Sequence, residues 1–246
     1  MYSRPHHQRI AHVLERLDSD VLRQHHCWFG GGTCIALRFG EYRESVDMDF
    51  LVSDLASYRE LRQLLTGLNG LDPITRPGLT PLALAREVRA DQYGIRTQVL
   101  MDGHAIKLEV VYEARIQLQT PSAKDTICGL GCLTPLDLAT SKLLANSDRQ
   151  ADDGVYSRDL IDLAMMNLRM PQLRKAIDKA STAYGAAVER DLNKAIDRIE
   201  HREGWLERCM QAMAMDMPKA VLWQNIRKLK RALQPPTNAA SVSRKS

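Results

Sequence analysis

Two aspartates, Asp47 and Asp49, are spaced as a divalent-cation site requires. They lie in the segment VDMDFLV, whose alternation of apolar and polar residues predicts a β-strand. Residues two apart on a strand project to the same side, so both carboxylates would converge on one point. Such carboxylates repel each other unless a cation holds them, and Mg²⁺ prefers oxygen ligands. The pair predicts a magnesium site, although a charged strand edge would have the same pattern.

A glycine run lies upstream of these aspartates. Gly30, Gly31, Gly32 and Thr33 precede a helix-like TCIALR segment. Glycines allow the backbone to approach a phosphate closely, and the amides that begin a helix can donate to phosphate oxygens together with a threonine hydroxyl. The run therefore indicates a phosphate-binding turn, although three glycines are also compatible with a flexible turn.

A third carboxylate, Glu109, lies within the apolar strand IKLEVV, with Lys107 on the same side. An acidic residue in the middle of such a strand needs a partner or an ion. We therefore expect Glu109 to contribute to the same site as the two aspartates.

Together these residues resemble the nucleotide-transfer motif of the polymerase-beta-like nucleotidyltransferase superfamily. The matching residues are Gly31, Gly32, Thr33, Arg43, Ser45, Asp47 and Asp49, followed by Glu109. More narrowly, the chain resembles the AbiEii/AbiGii toxin family of type IV toxin-antitoxin and phage-defence systems. The downstream segments LTPLDLATSKLLANSDRQ and SRDLIDLAMM resemble that family's second-lobe motif of a lysine, here Lys142, and an R-D-x-x-D-L sequence.

The resemblance implies a role for each matching residue. Gly31, Gly32 and Thr33 would hold the triphosphate of a nucleoside triphosphate, and Asp47 and Asp49 would bind Mg²⁺ or Mn²⁺. Arg43 and Ser45 would add contacts to the nucleotide. Arg43 could alternatively form a structural pair with Glu41 or Glu44.

The resemblance also implies roles for the remaining residues of the site. Glu109 would complete the metal site and help to activate the acceptor hydroxyl. Lys142 would neutralise phosphate charge, and Asp159 or Asp162 would order that lysine or the base and ribose. A solvated ion pair between helices is the alternative for these three residues. The segment 150–157 is longer than the family usually has before its R-D motif.

These roles predict transfer of NMP from NTP to an acceptor with release of pyrophosphate. The resemblance favours an RNA acceptor, a tRNA end, and a cognate antitoxin as partner. Modification of a protein side chain, or of a small molecule such as an aminoglycoside, is the second hypothesis. The third is a non-catalytic protein that binds nucleotides or a partner.

The apolar patterning predicts an α/β (α+β) lobe over residues 1–133, with a short mixed sheet flanked by helices, and a helical lobe over 134–233. Helices are expected at 8–24, 55–69, 157–168, 171–184, 187–202, 204–215 and 218–232, and a hairpin at 94–112. The tail 234–246 has no apolar periodicity and is expected to be disordered. The active site is expected in the cleft between the lobes.

Composition indicates the cellular location of the chain and the kind of partner it could bind. No apolar stretch is long enough for a membrane span, and the N-terminus lacks the apolar core of a signal peptide, so we expect a cytoplasmic protein without a membrane partner. The five cysteines have no repeated spacing, which predicts reduced and mostly buried thiols. Residues 171–246 hold 15 Lys and Arg against 8 Asp and Glu, a basic region that could contact RNA.

Overall fold

The structure is a computed structural model that describes residues 2–233, so the expected tail at 234–246 lies outside the described residues. The helices are α1 Pro5–Arg16, α2 Ser19–Gln24, α3 Gly31–Arg38, α4 Leu55–Leu65, α5 Pro135–Arg149, α6 Arg158–Met165, α7 Met170–Tyr184, α8 Ala187–His201, α9 Trp205–Ala212 and α10 Lys219–Ala232. The strands are β1 Trp28–Gly30, β2 Met48–Val52, β3 Leu84–Ala90, β4 Gly94–Met101, β5 His104–Tyr112, β6 Thr126–Ile127 and β7 Leu130–Gly131.

The first five strands form one mixed sheet in the order β1-β2-β5-β4-β3. Only β2 and β5 pair in parallel, and the other neighbours are antiparallel. Helices α1, α3 and α4 pack on this sheet. The predicted mixed sheet in the N-terminal half, followed by helices, is therefore confirmed.

The opening helix differs from its prediction, because two helices replace the single helix expected at 8–24. Leu17 has an extended backbone and forms a β-bridge with Thr75, which removes it from the helix. Asp18 then begins α2, where its carboxylate accepts hydrogen bonds from the amides of Asp20 and Val21. A tertiary contact thus breaks the helix at Leu17, although the apolar periodicity of the sequence continues past this residue.

The β4–β5 hairpin is confirmed, with Met101 paired to His104 across the turn. The sequence did not predict β3, which pairs with β4. Its residues, LAREVRA, have no regular alternation of apolar and polar positions, and its pairing with β4 contains register shifts. An irregular strand of this kind lacks the period of two on which strand prediction depends.

The chain is helical from α5 onward, as expected. The Thr134 hydroxyl accepts a hydrogen bond from the Asp137 amide at 3.2 Å, and Pro135 occupies the first helical position. Helix α7 ends at Tyr184, as predicted, and Gly185 follows as its C-cap. The boundary between residues 133 and 134 as a division into domains stays a prediction.

Contacts between the two halves are close. Helix α3 packs against α5 and α6, and the amide of Glu44 donates to the carbonyl of Met213 at 3.0 Å. All five cysteines are free, and four of them are buried, as expected. Within residues 2–233, none of the helices combines the length and the apolar composition needed to cross a membrane.

Candidate active site

The junction between β1 and α3 brings the glycine run next to the acidic residues. Gly31 has a φ of +68°, and a β-carbon at this position would overlap the side chain of Asp49. A β-carbon on Gly32 would overlap the guanidinium of Arg43. Glycine is needed at these two positions because the side chains of Asp49 and Arg43 approach the backbone closely.

Asp49 lies on β2 between β1 and β5, and its backbone is in register with Gly30 on one side and Glu109 on the other. Asp47 lies immediately before β2. Burial raises the pKa of the Asp49 carboxyl, an effect that Lys142 opposes and that the negative charges of Asp47 and Glu109 increase. All three carboxylates line one cavity, and their expected joint role in binding a metal stays a prediction.

The hydrogen bonds of these carboxylates divide them into two groups. Glu109 accepts from Arg96 at 2.7 Å and from Lys107 at 2.5 Å. No group within residues 2–233 donates a hydrogen bond to the side chain of Asp47 or Asp49. The carboxylate oxygens of the two aspartates are therefore available as ligands for a divalent cation. Glu109, in contrast, already has two cationic partners.

In the described part of the chain, one other group of side chains has three possible metal ligands within 4.8 Å of one another. It consists of Asp197, Glu200 and His201 on α8. Lys230 already pairs with both carboxylates of this cluster, at 3.3 and 2.6 Å. We give this surface cluster no catalytic role, because its charges are satisfied and no transfer motif adjoins it.

Thr33 and Ser45 lie behind the carboxylates. Thr33 is buried, and its hydroxyl contacts the Ser45 hydroxyl at 2.8 Å and the main-chain carbonyl of Asp47. The Thr33 side chain therefore contacts the segment that carries Asp47, rather than pointing freely towards a phosphate. Its expected contact with the triphosphate stays a prediction, and the geometry gives it a positioning role.

Lys142 forms a buried ionic network with α6. Its ammonium lies 3.0 Å from Asp159 and 2.7 Å from Asp162, and Arg149 also pairs with Asp159 at 2.6 Å. The lysine side chain is only 8% exposed, so the alternative of a solvated ion pair does not apply. These neighbouring cations lower the pKa of the Asp159 carboxyl against the opposing effect of burial.

Arg43 joins the same network from the other half of the chain. Its guanidinium donates to both oxygens of Asp162, at 2.6 and 2.9 Å, and the hydroxyl of Tyr42 donates to the same carboxylate at 2.6 Å. The alternative pairing of Arg43 with Glu41 or Glu44 is thus replaced by Asp162. No sequence pattern identified Tyr42, because only the fold brings it to α6.

A cavity of about 460 Å³ opens between the sheet and the helices. Its lining residues are Gly32, Arg43, Glu44, Ser45, Val46, Asp47, Asp49, Lys107, Glu109, Lys142, Arg149, Gly154, Val155, Tyr156, Arg158, Ala212 and Met213. It is mainly polar, and both carboxylates and cations line it. Asp159 and Asp162 lie behind this lining and hold Lys142, Arg149 and Arg43.

The segment between α5 and α6, residues 150–157, forms part of the cavity wall. Tyr156 and Ser157 both adopt left-handed backbone conformations, with φ of 51° and 50°. The indole of Trp205 donates to the Ser157 hydroxyl at 3.0 Å, and Arg202 donates to both carboxylate oxygens of Asp153. The sequence indicated only that this segment is long, and the structure gives it a place in the site.

A mixed sheet with paired aspartates beside a glycine turn, and a lysine from a helical half, is the arrangement that the nucleotidyltransferase resemblance implied. The family model described as "Nucleotidyl transferase AbiEii toxin, Type IV TA system" matches residues 12–233. The chain therefore belongs to the AbiEii nucleotidyl transferase toxin family. Membership implies nucleotidyl transfer in a type IV toxin-antitoxin system, with a nucleotide substrate and an antitoxin partner.

Two solved structures from Helicobacter pylori have a similar fold. One is a candidate nucleotidyltransferase with a TM-score of 0.51 and 15% sequence identity, and the match covers 92% of this chain and 94% of that one. The other is JHP933, with a TM-score of 0.52 and 15% identity over 95% of both chains. No significant match is found among curated proteins. At these identities the two structures support the fold alone.

Proposed function

We propose that this chain transfers NMP from a Mg²⁺-bound NTP, with ATP among its substrates, to an RNA acceptor. In this reaction a hydroxyl oxygen of the acceptor attacks the α-phosphorus, and the bond between the α-phosphorus and the bridging oxygen breaks. Pyrophosphate leaves with that oxygen, and the hydroxyl proton passes to a carboxylate of the cavity. No oxidant or further co-reactant is required.

The observation that carries the proposal is the pair of carboxylates without hydrogen-bond donors, Asp47 and Asp49, in a cavity that also contains cations. These two aspartates would hold Mg²⁺ or Mn²⁺, and a bound ion of this kind neutralises phosphate charge and orients the reacting oxygens. Glu109 would join them by exchanging its contacts with Lys107 and Arg96. The chemistry then depends on positioning and charge neutralisation.

The phosphates would lie against Gly32 and the cations that line the cavity. The backbone of Gly32, at the start of α3, lines the cavity, and helix-start amides favour anions. Lys142 and Arg149 line the same cavity, and Asp159 pairs with both of them. Thr33 supports the Asp47 segment from behind. In this arrangement Asp159 and Asp162 act through the cations rather than on the nucleotide.

An RNA acceptor, and specifically a tRNA end, follows from the family resemblance and from the cationic surroundings of the cavity. The reaction would take place in the cytoplasm, where tRNA is available as the acceptor. Arg158 and Lys107 lie at the cavity lining and supply positive charge there. Positive charge of this kind attracts nucleic-acid phosphates irrespective of base sequence.

The test uses the full chain with each α-³²P-labelled NTP, Mg²⁺, and either total tRNA or total protein. Wild type is compared with Asp47→Asn and Asp49→Asn, and Asp197→Asn serves as the control in the α8 cluster. We expect label in tRNA and a loss of about 100-fold in both cavity variants, a size typical of removing transition-state electrostatics. The Asp197 variant should keep wild-type activity.

Other outcomes contradict parts of the proposal. Label in protein alone would replace RNA as the acceptor class, and label in an added aminoglycoside alone would indicate a small-molecule transferase. Activity that survives EDTA, or that is lost only in the Asp197 variant, would overturn the assignment of the metal to Asp47 and Asp49. Binding of NTP without any transfer would favour the non-catalytic hypothesis.

A further inference from the structure

The cross-strand pairs that begin at Asp49 and Glu109 continue across the sheet to β3. The backbone register places Asp49 opposite Glu109, Glu109 opposite Arg96, and Arg96 opposite Arg89. Directly paired residues project from the same face of a sheet. One cross-strand row therefore runs from the catalytic aspartate on β2 to an arginine on the edge strand β3.

A second row runs beside the first on the same face. Lys107 pairs with Gln98, and Gln98 pairs with Arg86. The face is open, since Arg96, Gln98 and Lys107 are partly exposed, whereas the alternating residues of β4 and β5 point into the core. We call the four cations Arg86, Arg89, Arg96 and Lys107 the sheet strip.

An irregularity in β3 places both of its arginines on this open face. From the Arg86–Gln98 pair to the Arg89–Arg96 pair, the register shifts, because β3 advances by one more residue than β4. In a regular strand Arg86 and Arg89 would point to opposite faces, because their spacing is odd. A bulge of this kind re-aims a side chain, and here both arginines are exposed.

The sheet strip carries surplus positive charge. Asp91 and Glu109 pair with Arg96, and Glu109 also pairs with Lys107. Within residues 2–233, no carboxylate oxygen lies within 4.0 Å of a guanidinium nitrogen of Arg86 or Arg89. Arg86 and Arg89, at the outer end of the strip, are therefore free to bind an anion. The inner cations, Arg96 and Lys107, pair with Glu109.

The strip is also continuous with the cavity. A shallow groove of about 400 Å³ runs between Arg86, Arg89, Arg96 and Lys107, and Lys107 lines both this groove and the catalytic cavity. Three strand spacings separate Asp49 from Arg89, a distance of about 14 Å. This length spans several phosphates of a nucleic-acid strand, so one strand could contact the strip while its end lies in the cavity.

We infer that the sheet strip binds the phosphate backbone of the acceptor RNA and leads its end towards Asp49. This inference rests on the proposed function and deepens it by naming the acceptor surface. It moves that surface from the basic region 171–246, which the sequence favoured, to β3–β5. Tyr93, at the β3–β4 turn, is 65% exposed and offers an aromatic ring near the strip, a common companion of cations in single-strand binding.

The test compares charge reversals at two places on the full chain. The strip variant is Arg86→Glu with Arg89→Glu, and the control is Lys175→Glu with Arg227→Glu, two exposed cations of the helical half. Neither control residue has an ion-pair partner in the described part of the chain. A milder variant, Arg86→Gln with Arg89→Gln, separates lost contacts from added repulsion, and thermal unfolding confirms that each variant folds.

Binding is measured first, without any transfer, by fluorescence anisotropy with a labelled 12-nucleotide single-stranded RNA at several KCl concentrations. We expect the strip variants to weaken binding by about 10-fold and to reduce the slope of log Kd against log [KCl] by about 1.4, the value for two lost single-strand phosphate contacts. In transfer assays the KM for tRNA should rise while the KM for NTP stays unchanged. The control variant should match wild type in every assay.

The outcomes separate this inference from the proposed function. Weaker binding in the Lys175 and Arg227 control, with wild-type binding in the strip variants, would overturn the strip and restore the helical surface. Wild-type chain that binds no RNA but labels protein would overturn the strip together with the RNA acceptor. RNA binding that depends on the strip, without nucleotidyl transfer, would support the strip while the proposed function fails.

Discussion

Asp162 on α6 accepts two hydrogen bonds from the guanidinium of Arg43, which lies 119 residues earlier in the sequence. The carboxylate is fully buried and also contacts the ammonium of Lys142 at 2.7 Å. Burial raises the pKa of Asp162, but the two cations outweigh this effect and hold the pKa well below its ordinary value. The contact ties the segment that leads to β2 to the helical half.

Replacement of this carboxylate should therefore destabilise the protein strongly. In Asp162→Asn the two buried cations lose a negative partner, a change that typically costs about 3–5 kcal/mol. The measurement is the free energy of unfolding in urea. The control is Asp20→Asn, which removes an exposed pair with Arg23 and should cost less than about 1 kcal/mol. Equal losses in the two variants would contradict the structural importance of the Arg43–Asp162 contact.

Gly31→Ala should abolish most transfer activity, because the new β-carbon would displace the Asp49 side chain. A displacement of about 1 Å at a reacting group can cost about 100-fold in rate. Gly103→Ala is the matched control, since Gly103 also has a positive φ, +76°, but no neighbouring atom within 4 Å of its added β-carbon. Both variants share the backbone strain, so loss of transfer in both would assign the effect to strain instead.

Acid should weaken the contact between α1 and the segment that leads to β2. His7 is fully buried, its Nδ1 lies 2.8 Å from Glu41, and its Nε2 accepts from the Ser45 amide at 3.1 Å. This pattern requires neutral imidazole, and burial lowers the pKa of His7 below 6.5 although Glu41 opposes the shift. The unfolded chain then binds the proton first as the pH falls, so stability is complete above pH 6.5 and declines below it.

Urea unfolding between pH 8 and pH 5 checks this prediction. His7→Gln should be less stable at pH 8 and should lose the pH dependence of this window, whereas His12→Gln, at an exposed position of α1, should keep it. Unchanged pH dependence in His7→Gln would contradict the assignment. A second decline is expected in stronger acid, because hydrogen bonds from Ser3, Arg4 and His7 outweigh burial and hold the pKa of Glu41 at about 2.

Trp205→Phe should loosen the wall of the cavity formed by residues 150–157. The variant loses the hydrogen bond to Ser157 and the wider indole face, over which Arg202 lies 4.2 Å from the ring centroid. We expect faster hydrogen exchange in this segment and a higher KM for NTP, because Tyr156 and Ser157 need outside contacts to keep their left-handed conformations. Trp223→Phe on α10 is the control, and equal exchange in both variants would contradict the prediction.

The sequence by itself determined the family and indicated the residues that are proposed to react. The spacing of Asp47 and Asp49 and the glycines before α3 were recognisable because the chemistry requires these residue types within one short segment. The helices of the second half were also predictable, since their apolar faces repeat with a regular period. Local patterns of this kind are visible in the sequence because they depend on residues that are close together along the chain.

Only the tertiary structure decided how the distant residues combine. The break at Leu17 depends on a bridge to Thr75, and the partner of Arg43 depends on the packing of α6 against α3. The irregular pairing of β3, which aligns Arg86 and Arg89, has no periodicity that a sequence could reveal. These features are pairings across long stretches of chain, and the side chains on one side do not encode their partners on the other.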